Sequence, residues 1–578
     1  MLTGIIIFIF IMKKTLLFII VLLSILTASA DFAEIDGIFY YLDTSTMKAT
    51  VVKGNGYTGN VTIPKTVNYN EDAYSVTSIG QEAFYCCTNL TSVIIPNSVE
   101  NIRNAAFLGC SGLTSVTIPI SVTSIGESAF YGCTGLTSIK IPKSVESLGK
   151  TSFAGCTGLT SITIPNSLGY IPTETFRFCT GLTSVTISNG VYSISGYAFA
   201  DCSNLKTVII PSSVTSIAET AFKNCENLSK VEINSNTIVS KEYSYNNSIK
   251  NIFGTQVNEY NIGNDVTSIG ASAFYGCSGM ESVTIPNSVT AIGSEAFCSC
   301  TGLTTVSIPN SVTKIEERLF AGCSGLTTFT IHNNVTSICD AAFSGCSGLI
   351  SMIIPSSVVS LGESAFQNCT NLTAIDIPNS ITSIESNTFR ECNSLISVRI
   401  PNTVKYIGDR AFYKCSGLKS VIIPNNVESI GEFTFAICSN LPLVTIPNSV
   451  TLIGDGAFYN CSNLTDIYCY AESVPTTGEY VFEEMPISSA TLYAPTSAID
   501  TYKATAPWSG FGTILPIPLL GDTNGNGEVE IGDVTSVLTL MATPEATGYD
   551  TKAADANENG EIEIGDVTTI LTIMANGE

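Results

Sequence analysis

The chain has 578 residues, 44% hydrophobic and 13% charged, a globular composition whose low charge favours β structure. Its formal net charge of −24 argues against nucleic acid and anionic lipid as partners. A single histidine, His332, excludes a multi-histidine metal site and leaves few acid–base options at neutral pH.

The first segment has the layout of an export signal. Met12-Lys13-Lys14 supplies positive charge, Thr15 to Leu26 is apolar, and Ala28-Ser29-Ala30 is a small-residue cleavage site that predicts a mature chain from Asp31. Residues 1–11 are also apolar, and Met12 offers an alternative start. Lys13 and Lys14 break the apolar stretch into pieces shorter than the roughly 20 residues of a membrane span. The expected product is secreted or held at the cell surface, with no membrane span after cleavage.

Next comes an atypical coil over 31–75, expected to cap the repeats. From Phe84 to Phe222 and again from Phe274 to Phe458, a Phe recurs every 23 residues, sixteen times, and a Cys stands three positions after each one. Within one unit, Ser115-Val116-Thr117-Ile118 alternates with a period of two, which points Val and Ile inward and Thr outward. Pro119 closes that strand, Val122 to Ile125 forms a second extended piece, Gly126 breaks it, and Ala129-Phe130 opens a short helical turn. Such a unit has no core of its own. Stacking about 17 of them over 76–470 buries the aliphatic and aromatic positions as columns. The period fails between Ile233 and Ile262, where one degenerate coil holds an insert, Lys241 to Ser248, expected to be a surface excursion.

These residues resemble the BspA-like leucine-rich repeats of bacterial surface proteins. The resemblance implies a mainly β, right-handed leucine-rich-repeat solenoid with parallel sheets and short helical turns. It also implies adhesion and a C-terminal cap, placed here at 471–516. Trp508, the only tryptophan, is expected in the core of that cap. The outward strand position, including Lys140, Thr163, Thr186, Thr284 and Arg399, forms a long, weakly charged row suited to a protein or glycan partner.

Of the 20 cysteines, sixteen hold one repeat position. Equivalent side chains in stacked coils run parallel, which supplies poorly the near-perpendicular torsion of a disulfide. A column of small buried thiols is expected instead.

The last segment, 517–578, is acidic: twelve acids against Lys552 alone from Gly521 onward. Asp522, Asn524, Asn526, Glu528 (through its carbonyl) and Asp533 sit at alternating positions of a twelve-residue loop with a Gly at position six, the arrangement of a calcium loop. Asp555, Asn557, Asn559, Glu561 and Asp566 repeat it 33 residues later. No amphipathic helix precedes the first loop, and the closing ligand is Asp. The pair therefore resembles a type I dockerin, a small α-helical module that binds two Ca2+. That resemblance implies a cohesin-like partner meeting Ile531, Gly532, Thr535 and Ser536 in one copy and Ile564, Gly565, Thr568 and Thr569 in the other. Asn at loop position five, where Asp is common, lowers the charge offered to the ion.

No catalytic constellation emerges. A glycosidase needs paired carboxylates about 5–10 Å apart in a cleft, and acids such as Glu127 and Glu363 lie at exposed turns. Two functional readings remain: a binding or adhesion protein attached through its dockerin-like module, or a non-catalytic component of a polysaccharide-degrading assembly.

Overall fold

The computed structural model describes residues 30–517, Val529, 531–542, Ile562 and 564–576. The expected signal segment therefore lies outside the described residues, apart from Ala30. The chain divides into two compact units, Met1–Val312 with Gly322–Leu326, and Thr313–Ala321 with Thr327–Glu578.

The first unit opens with antiparallel structure. Strand β1 (Ala30–Ile35) pairs with β2 (Ile38–Asp43), and β2 pairs with β3 (Lys48–Val51), all antiparallel. β4 (Gly59–Thr62) starts the parallel row that continues at Leu90–Ile94. β5 (Thr66–Tyr69) hairpins onto β6 (Asp72–Ile79), and β6 lies parallel to β3. From here every coil repeats one plan. Ser161–Ile164, Ser184–Ile187, Thr207–Ile210, Lys230–Ile233, Glu259–Ile262 and Ser282–Thr284 form a six-stranded parallel sheet. Ser161–Ile164 and Ser184–Ile187 alternate exposed hydroxyls with buried Val and Ile, and the other strands keep the same period-two pattern of outward and buried residues. A second row consists of strands only two residues long, such as Tyr170–Ile171, Ser193–Ile194 and Ser216–Ile217.

The closing segment of each coil is not a continuous helix. It is a succession of single tight turns: the Ala129 amide donates to Gly126, Tyr131 to Ser128 and Cys133 to Phe130. The amides between them reach the next coil instead, Ser128 to Lys150 at 3.0 Å, Phe130 to Ser152 at 2.7 Å and Gly132 to Ala154 at 2.8 Å. Aiming alternate amides sideways requires left-handed backbone at Ser128 (φ 54°) and Gly132 (φ 70°). An α-helix would tolerate neither the direction nor the dihedral.

The Phe column is a stack. Phe107, Phe130 and Phe153 lie with parallel rings 5.0 and 5.2 Å apart, close to the spacing of adjacent strands. All sixteen column cysteines are buried, and every cysteine in the chain is free. In most coils the thiol donates to the Phe carbonyl one coil back, as Cys133 does to Phe107 and Cys156 to Phe130, both at 3.2 Å. A small apolar side chain with one weak donor thus fills the space and satisfies an oxygen in the same place.

In the degenerate coil the insert is bounded by two short helices, α1 (Asn236–Val239) and α2 (Ile249–Phe253), which periodicity did not foretell. Phe253 takes the column position, 5.3 Å from Phe222 but tilted by 36°. The polar run is tied down: Tyr243 Oη donates to Ile238, and Ser244 bridges Asn247.

The second unit repeats the plan. Ser351–Ile353, Ala374–Asp376, Ser397–Arg399 and Ser420–Val421 form one parallel sheet. Leu443–Ile446, Asp466–Cys469, Thr491–Ala494 and Thr513–Pro516 form another. Near its end, α3 (Ile499–Ala504) brings buried Tyr502 against Trp508, ring centres 5.3 Å apart, and Phe482 and Phe511 close over the same indole. Trp508 is fully buried, as expected of a core residue. Beyond it, α4 (Ile531–Ala542) and α5 (Ile564–Asn576) pack through Val537, Leu540, Val567 and Ile570.

Candidate functional site

The candidate recognition surface is the outward strand row. In the first unit, register places Thr163 beside Thr186, then Ile209, Glu232, Asn261 and Thr284, one residue per coil. Lys140, Thr163, Thr186 and Thr284 are all exposed. Lys140 belongs to a coil with no formed strand at 138–141, yet keeps its outward place. With Lys143, Thr163 and Asn166 it lines a groove of about 580 Å3. Further along the same unit, the Lys230 ammonium meets Glu259 at 2.7 Å and holds that carboxyl below the usual carboxylate range.

In the second unit the row contains Ile353, Asp376 and Arg399 in direct register. Arg399 is exposed and lines a groove of about 620 Å3 with Asp376, Asn402 and Ile422. The row then continues through Thr445 to Tyr468 and Tyr493, whose rings stack at 4.3 Å, and ends at Leu515. Asn261 and Tyr493 escape the 23-residue count because the coils carrying them are longer. The marker that finds them is the outward residue between two inward ones, not the spacing.

Elsewhere, His332 sits in a turn, where its Nδ1 accepts the Asn334 amide at 3.3 Å. Glu127 pairs with Lys150 at 3.2 Å. Among the described residues, no group of three or more His, Cys, Asp or Glu side chains converges on a point that could hold a metal. Likewise, no helix among them is long and apolar enough to cross a membrane.

In the C-terminal module, Asp522, Asn524, Asn526, Glu528, Asp555, Asn557, Asn559 and Glu561 lie outside the described residues, as does the side chain of Asp533. Asp566 is fully buried in the first turn of α5. A buried carboxylate needs compensating positive charge, and a helix N-terminus supplies only part of it. That environment fits the closing ligand of a calcium loop. Val529 and Ile562, equivalent positions of the two loops, pack against the shared core of α4 and α5. The copies are thus joined through one small core. Of the residues expected to meet a partner, Thr535 and Thr568 are exposed and Thr569 is half-buried. Ser536 is 5% exposed, beside the fully buried Val537. The backbone of Ile531, Gly532, Ile564 and Gly565 opens the two helices.

Comparison with known proteins agrees with this architecture. Residues 77–191, 169–265, 267–396 and 382–503 match the BspA type leucine-rich repeat region, in six copies. Residues 520–571 match the dockerin type I domain. Among solved structures, a leucine-rich cell surface protein from Faecalibacterium prausnitzii is 30% identical, covering 64% of this chain and 95% of its own, with a TM-score of 0.36. A leucine-rich repeat protein from Bacteroides ovatus is 27% identical over 77% of this chain and 99% of its own, with a TM-score of 0.31. The leucine-rich repeat protein of T. pallidum is 28% identical over 33% and 86%, with a TM-score of 0.30. No curated protein matches. The chain belongs to the BspA-type leucine-rich-repeat family and ends in a type I dockerin domain.

Proposed function

We propose that this is a non-catalytic, secreted or surface-held recognition protein that binds a protein or glycan on its outward strand row and is attached through its dockerin domain. The observation that carries the reading is the row itself: exposed side chains held in register, coil after coil, above a buried aliphatic core. Such a surface recognises by extended complementarity and needs no cleft. Lys140 with Thr163 and Arg399 with Asp376 are its most grooved places.

Attachment rests on the dockerin match, since type I dockerins bind calcium and suggest a cohesin partner. Asp522, Asn524, Asn526, Glu528 and Asp533 would hold one ion, and Asp555, Asn557, Asn559, Glu561 and Asp566 a second. Calcium supplies positive charge to carboxylates that would otherwise repel, which couples binding to folding. The dockerin also favours a second reading, membership in a cohesin-organised polysaccharide-degrading assembly with the repeats as a targeting module.

Two measurements test the proposal. Calcium titration of the 517–578 fragment monitored by circular dichroism should show helix formation; an unchanged spectrum up to millimolar calcium refutes calcium-dependent attachment. Capture assays with the repeat region and the dockerin fragment separately should show ligand retained by the repeats. Retention by the fragment alone refutes the recognition row.

A further inference from the structure

The strand row of the second unit is self-complementary. In consecutive coils it reads Thr330, Ile353, Asp376, Arg399, Ile422, Thr445. Thr328 bridges Ser351, which puts Thr330 beside Ile353. Ile353, Asp376 and Arg399 are direct neighbours, Ser397 pairs with Ser420, and Ile422 bridges Thr445. Reversed end to end, the row keeps its polarity pattern: hydroxyl, isoleucine, charge, charge, isoleucine, hydroxyl. Only the two central charges exchange sign. That is the condition for a two-fold axis running along the strands between the Asp376 and Arg399 coils. Such an axis sets Asp376 of one copy opposite Arg399 of the other, twice, and Ile353 opposite Ile422, twice.

The exposures agree with a surface made to be covered. Ile353 is 80% exposed and Ile422 is 73% exposed, although the same strands bury Met352 and Val421. Asp376 and Arg399 are both exposed, and neither side chain takes part in an ion pair or hydrogen bond among the described residues. The strand position two residues earlier carries Ser351, Ala374, Ser397 and Ser420 in the four central coils, small enough for two faces to approach there, with Thr328 and the exposed Leu443 at the two ends.

We propose that this face pairs with the same face of a second copy of the chain, in an isologous contact centred between Asp376 and Arg399. This rests on the strand row being a recognition face and names its occupant. Six coils at about 4.8 Å per step give a contact about 24 Å long, and three strand residues at about 3.3 Å each make it about 10 Å wide, roughly 240 Å2 and small beside the roughly 800 Å2 per partner of a standard interface. Pairing is therefore weak and reversible, and it strengthens where the chain is crowded on a surface.

Charge reversal tests it on the full chain with calcium present, by sedimentation across about 10–300 μM, a range suited to weak association. Wild type should move toward twice the monomer mass as concentration rises. Asp376→Arg leaves two cations at the centre of the face and Arg399→Asp leaves two anions, so each alone should remain monomeric. An equimolar mixture of the two should associate again, because each now complements the other. The double exchange should self-associate like wild type. A wild type monomeric throughout overturns the proposal, as do single variants that associate unchanged or a mixture that stays apart. Near-ultraviolet dichroism, which reads the fixed packing of Trp508 and of buried tyrosines such as Tyr260 and Tyr502, confirms that each variant is folded. Capture of a glycan or foreign protein by the repeats is measured separately, so loss of self-pairing leaves the broader recognition reading standing.

Discussion

The Cys415 thiol lies 3.2 Å from the carbonyl oxygen of Phe389, one coil back, and that oxygen also accepts the Cys392 amide at 3.2 Å. One acceptor thus joins a turn to itself and to its neighbour. The thiol supplies the second bond while filling a fully buried space.

Replacing Cys415 with Ala should cost about 1–2 kcal/mol, the combined loss of a weak hydrogen bond and a sulfur's worth of packing. A lowered denaturation midpoint, with amide exchange accelerating first around Phe389 and Cys415, is the expected result. An unchanged midpoint would mean that neither the hydrogen bond nor the packing of the sulfur contributes to stability.

The same column makes stability sensitive to alkali. Burial pushes the Cys110 thiol from its ordinary value of 9 up to about 12, and burial likewise raises Cys415 well above that ordinary value. The folded state therefore keeps protons that the unfolded chain releases. Stability should be full below pH 9 and fall between pH 9 and about 12, with many thiols contributing to the slope. Melting temperatures measured in reductant should be flat from about pH 6 to 8.5 and drop steeply beyond it. A flat profile to about pH 11 would contradict neutral, buried thiols.

Asp566 gives the cleanest handle on the dockerin domain, because it is fully buried at the start of α5. Asp566→Asn keeps the shape and removes the charge. Calcium affinity of the second loop should fall at least about ten-fold, displacing the folding midpoint in a calcium titration while the first loop's response persists.

Trp508 reports on its own end of the repeats without interference from another indole. It is fully buried against Phe482 and Tyr502. Native emission should be blue-shifted and resist quenching by acrylamide, and addition of glycan should not change it. Rapid quenching would show that the aromatic cluster opens.

Much of this was legible from residue spacing because each coil solves one packing problem in the same way. Phe130 and Cys133 announce buried columns by recurrence alone, and Val116 and Thr117 announce which side of the strand faces solvent. What recurrence does not carry is the direction of hydrogen bonds. The turn after Gly126 has a helical composition, yet Ser128 and Gly132 adopt left-handed backbone because the next coil offers acceptors that an isolated segment lacks. The dockerin residues show a similar limit. Thr535 and Ser536 are adjacent in the repeated motif, but a helix turns by about 100° per residue, which exposes one and buries the other. The opposition of Asp376 and Arg399 was readable as letters, but it acquired meaning only when strand register made them neighbours on one face.

A stack of near-identical coils is also a template for its own extension, since a bare terminal strand invites another chain to add to it. Here the outermost strand of its sheet, Thr513–Pro516, finishes on a proline paired to Ala494. Proline brings no amide proton to an incoming edge, and the aromatic cluster around Trp508 roofs the apolar interior beside it. Polymerisation into fibres is thereby discouraged at that terminus, and a protein built for repetition stays finite.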